Sequence, residues 1–364
     1  MSQPYDRVYN FSAGPCTLEV EVLEEAREGL LNWKGTGMSV MEMSHRSKPF
    51  EKILNKAEDD LRELMRVPAN YKILFLQGGA SMQNTMIPMS FLKEGQTADY
   101  IVTGAWGKKS EEAAQIVGKV NVAYSGKDHN YSDVPGPTDL NLTEGAAYVH
   151  YTSNETIQGV EFKRDLDFKS PPVCDISSNI LSRPFNVSKY QLLYAGAQKN
   201  MGPAGMTLVI ISDEMLAKAP DNWHPMLDYK LQVENGSMYN TPPCWAIYMA
   251  GLTYDWLRNK GGVDTMNNRN KAKAALLYKA IDDSGGFYKG HACPDCRSLM
   301  NVTFNLPSEE LTDIFVKEAT ALKLDGLKGH RSVGGIRASI YNAFPKEGCK
   351  VLADFMKDFM ERKG

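Results

Sequence analysis

The stretch YQLLYAGAQKNMGPAGMTLVIIS, Tyr190 to Ser212, holds two apolar runs joined by a glycine-rich segment. YQLLYA and MTLVIIS are short and bounded by turn residues, the pattern of strands buried on both faces. Between them stands Lys199, shortly before a turn built from Gly202, Pro203 and Gly205. A lysine at the edge of a sheet is either a solvated loop charge or a nucleophile held in a crevice. The surrounding sequence decides between the two.

Outward from this pair the same texture repeats. KILFLQGG (72–79), DYIVTGAW (99–106), KVNVAYS (119–125), AAYVHYTSNETIQG (146–159) and PPVCDISS (171–178) read as further short strands. Helical patterns such as KKSEEAAQIVG (108–118) lie between several of them. This alternation predicts an α/β fold, a mostly parallel sheet covered by helices in three layers. Ahead of it, TLEVEVLEEAREGLLNW (17–33) places Val22, Leu23, Ala26 and Leu30 along one helix face, with Thr17 as the expected N-cap. EKILNKAEDDLRELM (51–65) repeats the helical pattern.

After Gly261-Gly262 the order changes. AKAALLYKAIDDSGG (272–286) reads as a helix, MNVTFNL (300–306) as a strand, SEELTDIFVKEATAL (308–322) as a helix and IRASIYNA (336–343) as a strand. A last helix, KVLADFMKDFMERK (350–363), sets Val351, Leu352, Phe355, Met356 and Phe359 on one face. Together these predict a smaller C-terminal α/β domain.

Composition narrows the function. The 364 residues are 43% hydrophobic and 23% charged, with a formal net charge of -3, so no basic footprint for nucleic acid or membrane is present. The apolar runs are far too short to span a bilayer. MSQPYDRVYN at the N-terminus is polar, which leads us to expect a cytoplasmic protein. Six cysteines are scattered, and only HACPDC (291–296) clusters. With no second pair to complete four ligands, it reads as a surface turn, and no metal site is expected. The Asn-x-Ser/Thr triplets at Asn130, Asn141 and Asn154 carry no weight without a secretion signal.

In an open α/β sheet, ligands bind beyond the carboxyl ends of the strands. Asp175 emerges after the apolar PPVC, and Lys199 follows one crossover later. Alone, Asp175 would read as a cap for DISSN. A strand-end carboxylate beside a strand-end lysine is also what pyridoxal phosphate needs. The amine forms the Schiff base, and the carboxylate keeps the pyridine nitrogen protonated. In QGGASMQNTM (77–86), Gly78 and Gly79 lead into a helix start where the amides of Ala80 and Ser81 could hold a phosphate, with the Ser81 hydroxyl as an extra donor. Trp106 ends DYIVTGAW and offers a flat face to a pyridine ring, or a packed core indole. Lys108 and Lys109 open the next helix and read as surface charges or weak phosphate contacts. Lys199 is the better Schiff-base candidate.

Two His-Arg pairs remain. GHRSVGGIRASIYN (329–342) gathers His330, Arg331 and Arg337 around a Gly-Gly turn, and MSHRSKPF (43–50) holds His45 and Arg46 before a helix. Such groups bind carboxylates and phosphates, so a substrate carrying a carboxylate and a second anion would use both. No G-x-G-x-x-G follows the first strand and no Walker sequence occurs, which argues against a nucleotide-binding module.

At this point the sequence resembles the phosphoserine aminotransferases, within the type I pyridoxal-phosphate enzymes. The resemblance covers essentially the whole chain: YNFSAGP, MEMSHRS, LFLQGGAS, TGAW, NETIQGVEF, DISSNILSRP, YAGAQKNMGPAG, YNTPP and GHRSVGGIRASIYNA occur in order. It implies a large cofactor-binding domain over 16–260, with 1–15 plus 261–364 forming the small one. It implies amino transfer between L-glutamate and 3-phosphohydroxypyruvate, giving O-phospho-L-serine and 2-oxoglutarate by a ping-pong route. A phosphohydroxythreonine-type substrate of vitamin B6 synthesis is left open. Lys199 would then be the Schiff-base lysine, Asp175 the partner of the pyridine nitrogen, Trp106 the stacking ring and Thr156 a donor near the phenolic oxygen. Ala80, Ser81 and Gln198 would bind the cofactor phosphate, joined by Asn240 and Thr241 from the other subunit of a homodimer. Arg337 would hold the substrate α-carboxylate. His330 and Arg331, with His45 and Arg46 reaching over from the partner, would hold the second anion. One departure is Asn84, where an aromatic residue is expected; its effect should fall on packing. A desulfurase would need a mobile cysteine near the lysine, and none of the six is evidently placed so.

Overall fold

The computed structural model describes residues 3–331 and 333–364. Its centre is a seven-stranded sheet of β1 (Tyr71–Leu76), β2 (Thr97–Val102), β3 (Lys119–Ser125), β4 (Val149–Thr152), β5 (Pro172–Asp175), β6 (Leu192–Gly196) and β7 (Thr207–Ser212). The spatial order is β1-β7-β6-β5-β4-β2-β3. Pairing is parallel from β6 through to β3, while β7 runs antiparallel to both β6 and β1. The expected mostly parallel sheet is present, and the one reversed strand is the second apolar run of the opening stretch.

The strands are apolar on consecutive residues because both faces are covered. Successive side chains point to opposite faces. Ile73 and Phe75 of β1 enter one core, with Phe50, Ile53 and Leu54 of α2 (Lys48–Met65). Leu74 and Leu76 enter the other, with Met86, Ile87 and Phe91 of α3 (Gly79–Phe91) and Ala114 of α4 (Ala105–Val117). Ile247 and Leu257 of α5 (Cys244–Asn259) lie on the α2 side. Helix, sheet and helix form the three layers.

A further core gathers around an antiparallel sheet of β8 (Lys289–Gly290), β9 (Asn301–Asn305) and β10 (Ile336–Ser339). Leu277 and Ile281 of α6 (Gly262–Asp282), Phe315 of α7 (Glu309–Ala321) and Leu352, Phe355, Met356 and Phe359 of α8 (Lys346–Lys363) fill it. Val351, expected on the same face, is only partly buried. Tyr9 and Phe11 join this core, and Tyr9–Asn10 pairs in parallel with Leu324–Asp325.

The first long helix, α1 (Val20–Gly29), starts later than its sequence suggests. Glu19 is its N-cap residue, and the Thr17 hydroxyl donates instead to the Asn10 carbonyl at 2.8 Å. Among the described residues no helix is long and apolar enough to cross a membrane. Cys293 is exposed and Cys296 buried, both as free thiols, and the Cys296 Sγ donates to the carbonyls of Ser132 and Cys293.

Candidate active site

The carboxyl ends of β4, β5 and β6 lie side by side, with Thr152 opposite Asp175 and Asp175 opposite Tyr194. Lys199 follows β6 by three residues, so the sheet itself delivers an acid and an amine to one edge. The Lys199 Nζ donates to Thr156 Oγ1 at 2.6 Å and lies 5.0 Å from the centre of the Trp106 ring. Asp175 is buried; its Oδ1 accepts the Ser177 amide at 2.8 Å, and the Ser177 hydroxyl accepts the Gly196 amide at 3.0 Å. Gly14, at φ +149, allows the chain to pass close by, since a Cβ there would come 3.3 Å from the Lys199 Cγ.

Electrostatics follow from burial. Desolvation holds the Lys199 amine below its usual range; Asp175 and Glu155 pull it back up, and the Arg337 charge pushes it down again. Desolvation raises the Asp175 carboxyl, opposed by Lys199 and by the hydrogen bonds from Ser177.

Glu155 is a residue that the sequence reading passed over. Fully buried, it accepts the Trp106 amide at 3.0 Å and the Gly107 amide at 2.7 Å, and Gln158 Oε1 accepts the Ala105 amide at 3.2 Å. These side chains cap the first turn of α4, whose Gly104 cap residue has no side chain. A Cβ on Gly104 would come 2.5 Å from the Glu155 Cδ. The available signal was an acid two residues from Ile157 in NETIQG, paired with a helix start of the form Gly-Ala-Trp-Gly.

Two lysines at that helix start part company. Lys108 donates to Glu111 Oε2 at 2.5 Å, whereas the Lys109 Nζ lies 4.6 Å from the centre of the Trp106 ring. Lys109 is exposed, as expected of a surface charge, with its amine over the Trp106 ring, whereas Lys108 is half-buried and paired with the buried Glu111.

At α3 the N-cap is Gly78 in the left-handed region, φ 87, with no side-chain cap on the first turn. Ala80 is partly buried there and Ser81 exposed. Gln198 lies against Gly196, where a Cβ would meet its Oε1 at 2.9 Å. Asn240 and Thr241 fall near the same turn of their own chain: the Gln77 Nε2 donates to the Thr241 carbonyl at 3.3 Å. Asn84 accepts hydrogen bonds from Ser110 Oγ and Tyr194 OH, each at 3.0 Å, so it ties α3 to α4 and β6 rather than merely filling space.

Arg337 lies half-buried on β10, where desolvation lowers its guanidinium, and its charge is felt at Lys199. His330 is held below its usual range by burial and then by Arg337, Arg331 and Lys109. The loop carrying His330 and Arg331 is closed at its base by the Gly329 amide bonded to the Gly335 carbonyl at 2.8 Å. His45 and Arg46 lie on the approach to α2. His45 Nε2 is enclosed without a partner, Arg46 is exposed, and no hydrogen bond joins either side chain to Lys199 or Asp175. Cys16 does approach the lysine, its Sγ donating to the Lys199 carbonyl at 2.7 Å. Burial pushes that thiol up to about 12, so it stays protonated and fixed.

The arrangement holds an aromatic plane, an amine and an acid at one sheet edge, with cations beside them. This is the plan of a cofactor-dependent group-transfer enzyme on an α/β sheet. The chain belongs to the class-V aminotransferases, whose family model matches residues 8–352. A phosphoserine aminotransferase of Geobacillus kaustophilus is 53% identical over 359 residues, covering 98% of this chain and 99% of the relative. The solved phosphoserine aminotransferase of Bacillus circulans subsp. alkalophilus superposes with a TM-score of 0.97 at 49% identity, covering 99% of this chain and 100% of that one. A pyridoxal-phosphate-bound phosphoserine aminotransferase of Trichomonas vaginalis gives 0.92 at 42%, covering 96% and 100%.

Proposed function

We propose that this aminotransferase moves an amino group reversibly between L-glutamate and 3-phosphohydroxypyruvate, giving O-phospho-L-serine and 2-oxoglutarate, with pyridoxal phosphate as cofactor. The observation that carries the reading is Lys199, whose amine bonds Thr156 and faces the Trp106 ring in a part-buried crevice. The donor set fits the cofactor: an amine, a buried carboxylate one strand away, an indole whose Nε1 is enclosed and unpaired, and a helix start free of side-chain caps. When bound, pyridoxal phosphate supplies the electron sink that lets the substrate Cα lose its proton.

The chain's own groups then divide the work. Lys199 Nζ, whose proton affinity burial lowers, would anchor the cofactor and carry the proton to and from the substrate Cα. Asp175 would hold the pyridine nitrogen protonated, Trp106 would stack on the ring and the Thr156 hydroxyl would donate beside it. The amides of Ala80 and Ser81, with Gln198, hold the phosphate, joined by Asn240 of the partner subunit and Thr241 of the partner subunit. Arg337 takes the α-carboxylate. His330 and Arg331, with the partner's His45 and the partner's Arg46, take the second anion. A phosphate and a distal carboxylate can share such a cluster, which suits one site to both acids. We read the enzyme as a cytoplasmic homodimer. Its large domain would span 16–260, and 1–15 plus 261–364 the small domain; the separate core around β9 supports the latter.

Replacing Lys199 tests the reading. Wild-type protein should be yellow, bleach with borohydride and transaminate O-phospho-L-serine with 2-oxoglutarate. Lys199→Ala should lose turnover by at least about 10³-fold. A colourless protein with full activity overturns the assignment. The phosphohydroxythreonine-type substrate carries the same two anions and belongs in the same assay.

A further inference from the structure

Lys109 differs from its neighbour Lys108. A helix advances by 3.6 residues per turn, so adjacent side chains leave it in divergent directions. Lys108 points to acids, bonded to Glu111 and 3.7 Å from Glu112. No carboxylate pairs with Lys109 among the described residues. Its ammonium lies instead over the indole that also faces Lys199, at 4.6 Å and 5.0 Å from the ring centre respectively. The two amines are therefore no more than about 10 Å apart, the sum of those distances.

A substrate fits within that limit. An amino acid whose Cα sits at Lys199 carries its second anion about four bonds further out, roughly 5 Å away. A charged hydrogen bond adds about 3 Å more. Lys109 also shares its surroundings with His330, whose proton affinity is depressed first by burial and then by the charges of Arg337, Arg331 and Lys109.

We propose that Lys109 is a specificity-determining residue that binds the second anion of the substrate, the phosphate or distal carboxylate, from the Trp106 side of the site. This rests on the substrate reading above. A phosphate, with its greater charge, gains more from Lys109 than a carboxylate does.

The test is steady-state kinetics and calorimetry on the holoenzyme. Lys109→Gln should raise KM for O-phospho-L-serine about tenfold and for L-glutamate about threefold, with kcat and the cofactor absorbance kept. The calorimetric Kd for O-phospho-L-serine should weaken in parallel. Lys109→Arg should restore most of the affinity, and Lys108→Gln should match wild type. Unchanged KM and Kd in Lys109→Gln overturn the proposal, as does a loss confined to kcat and the cofactor spectrum, which would mean that Lys109 only props Trp106. The two levels separate cleanly. A wild type inactive with O-phospho-L-serine removes the substrate reading and the proposal together, whereas an active wild type with an unchanged variant removes Lys109 alone.

Discussion

The Glu155 carboxylate accepts the Trp106 amide at 3.0 Å, so a buried acid anchors the turn that presents the indole to Lys199. The same carboxylate takes the Gly107 amide, and the missing side chains of Gly104 and Gly107 give it room. An anionic group at a helix N-terminus gains from the aligned peptide dipoles, yet here it must do so out of water.

That conflict has a pH signature. Burial pushes Glu155 up to about 7 from an ordinary 4.5, against the two amide bonds that pull it down. A carboxyl whose folded value lies above its unfolded one contributes stability that is intact below pH 4.5 and lost as pH rises through 7. In urea denaturation of the cofactor-free protein, the stability of wild type relative to Glu155→Gln should fall by on the order of 3 kcal/mol across that window. A difference that stays flat with pH would contradict the buried-acid account.

Beyond the cofactor role proposed for it, Asp175 acts on the Lys199 amine. Its charge is the largest influence pulling the Lys199 amine back up against desolvation. Asp175→Asn should therefore leave Lys199 neutral at still lower pH. Measured as the rate of cofactor capture by the cofactor-free protein against pH, the midpoint should move below that of wild type. Turnover should fall by at least about 10²-fold, because in the proposed function the ring nitrogen would lose its carboxylate. A midpoint moving upward would show that another group governs the amine.

Gly14 is the close neighbour of the lysine stem. At φ +149 an alanine is strained, and its Cβ would press on the Lys199 Cγ at 3.3 Å and the Gln198 Cγ at 3.6 Å. Gly14→Ala should cost roughly 1–3 kcal/mol of stability and weaken cofactor binding. Calorimetric melting and a cofactor titration read the two effects, and an unaltered cofactor affinity would place Gly14 outside the site.

The readable parts of this molecule were those set by the strand ladder. Asp175 and Lys199 could be paired from the sequence because parallel neighbours joined by short crossovers bring their ends together. Period and apolarity likewise gave the two-sided burial of β1 and β6. What depended on rotation was hidden. Lys108 and Lys109 are adjacent in sequence, and only the helix phase sends one to Glu111 and the other to Trp106. Thr17 looked like a helix cap but bonds Asn10, because the incoming N-terminal segment competes for its hydroxyl. Glu155 left only a faint signal for a related reason: its partners are backbone amides, which nearly every residue has. Cys16 reached Lys199 across a sequence gap that no local pattern bridges.

The reversed strand β7 has a consequence for the lysine it follows. Gly196 and Thr207 face each other across the β6–β7 ladder, and the Ala197 amide bonds the Met206 carbonyl at 3.0 Å just beyond it. The loop bearing the amine thus stands with both feet on neighbouring rungs, and its aim is inherited from the registration of those rungs. Substitutions in distant helices can erode the stability of the whole while sparing that aim. A single residue inserted between the feet would leave the sheet intact and turn the amine elsewhere.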